Sequence, residues 1–305
     1  MRKRGSLGEV DLSICIVSYR SRQLLRECLC SIDSNPPAGE YEVIVVENDS
    51  QDGTLEMLAE EFPRVRVFPL SEHGGYTAPM NYALHRAKGR YLIQLNPDTL
   101  ILPQALSRLI FFMDAHPAVG ICTPKVLNRD GSLQQQCRRS SARPWDVITY
   151  FSGLAKRFPK DPRFGRYLMS YKDENETHLV EAVSGSCMMI RQEVIEQIGY
   201  LDEQFYAYQE DTDFCVRAGL AGWQLYYYPE AQIIHYGGEG GTKVHLYRSI
   251  YIWHRSYYLY YRKHMAKDYF FLFNYFFYLL MGVKLSLALF RAFLTKKKYV
   301  GSPKP

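Results

Sequence analysis

The chain has 305 residues, 47% of them hydrophobic, and a formal net charge of +5. That is enough apolar material for one large core or two modest ones. Its acids and bases are interspersed, whereas nucleic-acid binding calls for a concentrated basic face, so no nucleic acid is expected and anionic lipids or phosphorylated small molecules remain the natural partners.

The first 125 residues alternate between two periods. Short apolar runs at 12–17, 41–46, 65–68 and 91–95 are predicted strands, and the stretches 20–34, 54–61, 76–87 and 103–115 are predicted helices, the last with Pro103 near its first turn. Strand–helix repetition at this spacing predicts an α/β fold with a mostly parallel sheet and helices on both faces. Val119–Cys122 reads as a further strand. Residues 128–178 are rich in Arg, Ser, Pro and Gly and read as a long loop or lid, with one helix near 145–155. A strand over 183–190, helices over 191–198 and 211–221, and strands near 223–227 and 231–235 complete the pattern.

The C-terminus differs. Residues 269–283 carry no charge, and eight of the fifteen are Phe or Tyr. That run is short and interrupted for a span, which takes about 20 apolar residues. Lys284, Ala288, Arg291, Thr295 and Lys298 fall on one helical stripe, with Lys296–Lys298 at the basic end. Tyr247, Tyr251, Tyr258 and Arg262 share an aromatic-basic helix upstream. The pattern predicts peripheral membrane contact through residues 269–298, or alternatively a core or oligomer-contact helix.

The seven cysteines have no CxxC spacing and sit mostly in apolar runs, as in Ser13–Val17. They read as reduced thiols of a cytoplasmic protein. Met1–Arg4 is basic but leads into no apolar h-region, so a secretory signal is not expected.

Chemistry gathers where predicted strands end. No glycine-rich turn follows Ser18-Tyr19-Arg20, which argues against a dinucleotide-dependent oxidoreductase, and the P-loop pattern is missing too. Glu47-Asn48-Asp49-Ser50 ends the second strand and offers groups for a base or ribose. Asp52 reads as a turn or cap residue. Gly74-Gly75 permits close backbone approach to a ligand, and Asn81, on the helix that follows, would face back toward the sheet edge. Asn96-Pro97-Asp98 suits a hard divalent cation carrying a diphosphate, or an ordinary solvated turn. Glu210, Asp211 and Asp213 crowd a predicted helix start among aromatics, where burial would raise a carboxylate's pKa; Arg217 is placed to pair with Asp213. His235 ends an apolar strand and either stays structural or joins Asp98 at a metal.

These motifs stand in a specific order: Ser-Tyr, Glu-Asn-Asp-Ser, Gly-Gly-Tyr…Asn, Leu-Asn-Pro-Asp-Thr, Ser-Gly-Ser, Glu-Asp-x-Asp-Phe…Arg, then His. The series, over about residues 11–262, resembles the inverting glycosyltransferases of family two, rhamnosyltransferase-like branch. The resemblance implies a GT-A fold over 11–245, with a nucleotide-sugar half (11–125) and an acceptor half (126–245), between a basic tail (1–10) and a membrane-associating helical region (246–305). It implies Ser18, Tyr19, Glu47 and Asn48 at base and ribose, and Gly75 and Asn81 along the nucleotide and donor sugar. Asp98 and His235 become ligands of Mg²⁺ or Mn²⁺, with Asn96 in place of the usual first acid. Asp211 becomes the catalytic base, supported by Glu210. The donor expected is dTDP-L-rhamnose or a UDP-sugar, and the acceptor a saccharide on a polyprenyl diphosphate at the inner face of a bacterial membrane. A sugar nucleotidyltransferase or a non-catalytic membrane scaffold are the alternatives.

Overall fold

A computed structural model describes residues 10–237 and 246–295. The expected basic tail, Gly238 and the Lys296–Lys298 cluster lie outside the described residues. Eleven strands and ten α-helices occur among those described. The strands are β1 (Leu12–Ser18), β2 (Tyr41–Glu47), β3 (Arg66–Pro69), β4 (Tyr91–Leu95), β5 (Thr99–Ile101), β6 (Val119–Leu127), β7 (Arg138–Arg139), β8 (His178–Leu179), β9 (Ala182–Val183), β10 (Cys187–Arg191) and β11 (Gln224–His235). The helices are α1 (Arg22–Ser34), α2 (Thr54–Glu61), α3 (Thr77–Leu84), α4 (Ala105–Ala115), α5 (Pro144–Phe151), α6 (Leu154–Arg157), α7 (Gln192–Ile198), α8 (Glu210–Leu220), α9 (Leu246–His264) and α10 (Phe271–Thr295).

The main sheet runs β3-β2-β1-β4-β10-β6-β11-β5, with β8 added on β11. β3, β2, β1 and β4 are parallel, as are β6 and β11, while β10 enters antiparallel between β4 and β6. β1 is buried along all seven residues, which is why its sequence is a continuous apolar run with no polar alternation. α1 lays Leu25, Cys28, Leu29 and Ile32 against that sheet at helical spacing. The two strands expected near 223–227 and 231–235 are one strand, β11, whose register on β6 shifts between Tyr228 and Gln232 around Pro229. The expected long loop contains β7, α5 and α6, and β7 pairs with β9 just beyond it.

Six of the seven cysteines are buried, Cys30 is exposed, and all are free thiols. A second, aromatic core joins the C-terminal helices to the rest: Tyr257, Tyr260, Tyr261 and Phe277 pack with Phe205 and Ala142. Their hydroxyls are satisfied by the carbonyls of Ala142 (Tyr257, 3.1 Å) and Ser141 (Tyr260, 2.5 Å) and by the Asn274 side chain (Tyr261).

The C-terminal apolar stretch is longer than its uncharged run. α10 is continuous through Lys284, and Phe271–Leu294 is long and apolar enough to cross a membrane by length and composition, with 11% of its most apolar window buried. The Lys284 ammonium lies over the rings of Phe151 (3.5 Å) and Trp253 (4.0 Å), so its charge turns toward the protein and leaves Leu and Phe outside.

Candidate active site

The carboxyl end of β4 leads into Asn96-Pro97-Asp98 and directly into β5, which pairs antiparallel with the end of β11 and sets His235 opposite Thr99. That pairing brings together two residues 137 positions apart in sequence, 235 − 98. His235 Nε2 is 3.0 Å from Asp98 Oδ1 and 3.2 Å from Asn96 Nδ2. Its Nδ1 is 2.7 Å from Gln134 Oε1. With that amide oxygen accepting, Nδ1 carries the proton and Nε2 presents a lone pair to the carboxylate. Two acceptors facing each other need a positive centre, either a second ring proton or a cation. Burial works to raise the Asp98 carboxyl, but the hydrogen bond and charge of His235 outweigh it and hold the pKa below its ordinary value.

An aspartate oxygen and an imidazole nitrogen form a donor pair that fits a divalent cation, beside an Asn96 amide that turns Nδ2 to His235 and Oδ1 to Tyr76. Gln134 is the outer partner that orients such a histidine. Clusters of three or more His, Cys, Asp or Glu do not occur among the described residues, so a diphosphate and water would have to complete the shell.

The second constellation stands at the start of α8. Tyr208 and Gln209 both have left-handed backbone (φ +65° and +66°), a strained pair that turns the chain sharply and delivers Glu210 and Asp211 inward. Asp211 accepts four hydrogen bonds. Oδ2 takes Arg139 Nη2 (2.7 Å) and the Gly185 N–H (2.9 Å), and Oδ1 takes the Thr212 N–H (2.6 Å) and hydroxyl (3.0 Å). A carboxylate oxygen pair has about four lone-pair sites, so all are in use. Glu210 is the opposite case: its Oε2 is buried with no hydrogen-bond partner. Burial, then the neighbouring Asp211 charge, push the Glu210 carboxyl up to about 8.

The two groups meet across Gly185-Ser186, where the Asn96 N–H donates to the Ser186 carbonyl (3.0 Å) and the Gly185 N–H donates to Asp211 (2.9 Å). The half-buried Tyr76 donates its hydroxyl to Asn96 Oδ1 (3.2 Å), and burial followed by the charges of Glu210, Asp211 and Asp98 raises its pKa. Asp213 is separate. It accepts from Arg217 (2.8 Å), as its spacing predicts, and from His264 and Lys263 (2.6 Å each) on α9. Burial would raise it, but these partners bring it down to about 2.

The nucleotide-side residues divide. Ser18 Oγ meets Ser21 Oγ (3.1 Å), and Tyr19 stacks on His73 with centroids 3.9 Å apart. Glu47 Oε1 accepts the Ser50 N–H (2.8 Å) and shapes the turn after β2. Asn48 spends its amide on Gly75 O (2.6 Å) and the Gly74 N–H (2.9 Å), and therefore holds the Gly-Gly turn. Asn81 does not join the others: its amide is bonded at both ends to Leu201 and also to Glu203, pinning the 201–203 loop. The close approach that Gly75 permits is made by Tyr206: a Cβ at Gly75, where φ is +81°, would stand 2.6 Å from the Tyr206 carbonyl. Asp52 is a turn residue as expected, accepting from Thr54 and the Arg22 N–H.

Sequence reasoning assigned no role to Tyr76, Gln134, Arg139 or Gly185. The Ser184-Gly185-Ser186 motif is a visible signal for the last, because a Cβ there would collide with Gln94.

A mostly parallel mixed α/β sheet with acids and a histidine at its carboxyl edge defines the class as a GT-A-type fold. The model of glycosyl transferase family 2 matches residues 13–199, and the chain belongs to that family and is a glycosyltransferase. It is similar to the N-acetylglucosaminyl-diphospho-decaprenol L-rhamnosyltransferase of Mycobacterium tuberculosis, 26% identical over 74% of this chain and 76% of the relative. It is also similar to the low-salt glycan biosynthesis hexosyltransferase Agl10 of Haloferax volcanii (29%, 68% of this chain and 61% of the relative). Among solved structures it resembles S. aureus TarS 1–349 in complex with UDP (TM-score 0.53, 18% identity, 81% of this chain and 65% of that chain). The mannosyltransferase PcManGT of Pyrobaculum calidifontis, with GDP-Man and Mn²⁺, gives 0.55 at 17% identity over 80% and 64%. The chain thus spans just under two thirds of those two solved chains.

Proposed function

We propose that this protein transfers a sugar, L-rhamnose from dTDP-L-rhamnose or a hexose from a UDP-sugar, with inversion onto a lipid-linked saccharide during cell-surface glycan synthesis at the inner face of the membrane. The observation that carries the reading is the meeting, across Gly185-Ser186, of the Asn96-Asp98-His235 group with Asp211 at one sheet edge. The name of the mycobacterial relative supports the L-rhamnosyl group and the lipid-linked acceptor.

Asp98 and His235 would hold Mg²⁺ or Mn²⁺, which when bound supplies positive charge to the leaving diphosphate. Asp211 takes the acceptor hydroxyl proton as that oxygen attacks the anomeric carbon from the face opposite the diphosphate. Of its four donors, the Thr212 hydroxyl leaves by one χ1 rotation and opens Oδ1 to the acceptor. Glu210 stays protonated below about pH 8 and serves as a hydrogen-bond donor beside it. The test is nucleotide release by purified protein across a panel of nucleotide sugars. Turnover should be highest with dTDP-L-rhamnose and weaker with UDP-sugars, and no release from any of them overturns the reading.

A further inference from the structure

α5 is built inside out. Its buried residues are Pro144, Asp146 and Thr149, and Asp146 accepts a hydrogen bond from Ser140 Oγ (2.8 Å). Its exposed residues are Trp145 (53%), Ile148 (37%) and Phe151 (49%), spaced every three residues along one face, and Phe158 (45%) continues the apolar surface beyond α6. A water-facing helix would have the reverse arrangement.

The same segment is basic. Residues 143–163 contain Arg143, Lys156, Arg157, Lys160 and Arg163, all exposed, against two acids. Of those, Asp146 is buried and Asp161 is paired with Arg163 (2.7 Å). Apolar rings ringed by cations match the interface of an anionic bilayer, where aromatic side chains sit at headgroup level and each basic residue adds attraction. The segment also touches α10 through Phe151, whose ring carries the Lys284 ammonium. It begins four residues after Arg139, the partner of Asp211.

We propose that residues 143–163 form a second membrane contact, a basic-aromatic foot beside α10 that binds anionic lipid headgroups and turns the active site toward the bilayer. This rests on the reading of a membrane-borne acceptor. The test uses the full chain with phosphatidylcholine vesicles and with three-to-one phosphatidylcholine–phosphatidylglycerol vesicles. The triple variant K156Q/R157Q/K160Q should lose on the order of a hundredfold in affinity for the anionic vesicles, the weight of three basic side chains at such a surface. Its binding to neutral vesicles should stay, carried by α10. Brominated lipid should quench tryptophan emission in the native chain and much less in Trp145→Phe. Undiminished anionic binding by the triple variant, or quenching independent of Trp145, overturns the proposal, as does equal competition by soluble heparin. Binding to neither vesicle by the native chain, with nucleotide release intact, would sink both membrane contacts while leaving the glycosyl-transfer reading in place.

Discussion

The two halves of the sheet fix their functional residues by different means. In the first, up to β4, polar side chains at the edge bond to backbone a few residues away or on the neighbouring turn: Glu47 to Ser50, Asn48 to Gly74 and Gly75. In the second, carboxylates bond to side chains far away in sequence: Asp211 to Arg139 and Asp213 to His264. The nucleotide-side turns after β2 close on one another, with Asn81 the exception in reaching residues 201 and 203, while the acceptor-side carboxylates draw on side chains more than 50 positions away. The difference predicts that substitutions on the second side disturb chemistry and stability together.

Asp211→Asn should show the largest effect. Removing the base costs about 10²–10⁴ in kcat, while donor binding measured by calorimetry persists. The amide also weakens a buried ion pair whose side chains are each 12% exposed, so Tm should fall as well. Substantial turnover by this variant would show that the proton goes elsewhere. Gly75→Ala tests the seam between the halves. A methyl group at φ +81°, 2.6 Å from the Tyr206 carbonyl, demands a backbone shift, and roughly 2–3 kcal/mol of stability should be lost by denaturant titration. A loss under about 0.5 kcal/mol would mean the seam is soft.

Glu210→Gln separates the halves by pH. The folded-state pKa is raised from 4.5 to about 8, so over that window the unfolded chain has released a proton that the folded chain still holds. Stability therefore falls as pH rises through the window and levels off above it. The glutamine variant should lack this slope, so its stability relative to the native chain should rise steadily as pH goes from 4.5 to 8. Parallel stability–pH curves for the two proteins would refute the assignment. Asp213 has the opposite sign: its lowered pKa contributes stability above about pH 4 that is lost as pH falls toward 2.

The same contrast explains what the sequence made legible. β1, β2 and β4 are continuous apolar runs because both faces are covered, and such runs are visible without a partner. β5 has three residues and exists because β11 pairs with it, and the antiparallel direction of β10 is settled by where the chain returns. Neither leaves a periodic signal. The Arg139–Asp211 pair spans 72 residues of sequence, and nothing near Arg139 marks it out. Asn81 is a related case: its spacing after Gly-Gly suits a donor contact, while its amide partners lie on residues 201 and 203. In α10 the charge of Lys284 truncates the apolar run on paper, and only the rings of Phe151 and Trp253, from two other helices, show where that charge goes.

Asn96→Asp should have the smallest effect and bears on the one place where the halves share a site. The native pair offers one carboxylate and one imidazole, with the amide of Asn96 donating to His235 Nε2. The aspartate keeps the oxygen that accepts from Tyr76 and replaces the Nδ2 donor by a second anionic oxygen. Two acids beside a histidine bind a hard cation more strongly than one, so Mn²⁺ affinity in the presence of nucleoside diphosphate should rise about tenfold, near 1.4 kcal/mol. Electron paramagnetic resonance of free Mn²⁺ reads this without any turnover. Unchanged affinity would mean that Asn96 does not border the cation, and that Asp98 and His235 face each other as a hydrogen-bonded pair that ties β5 to β11.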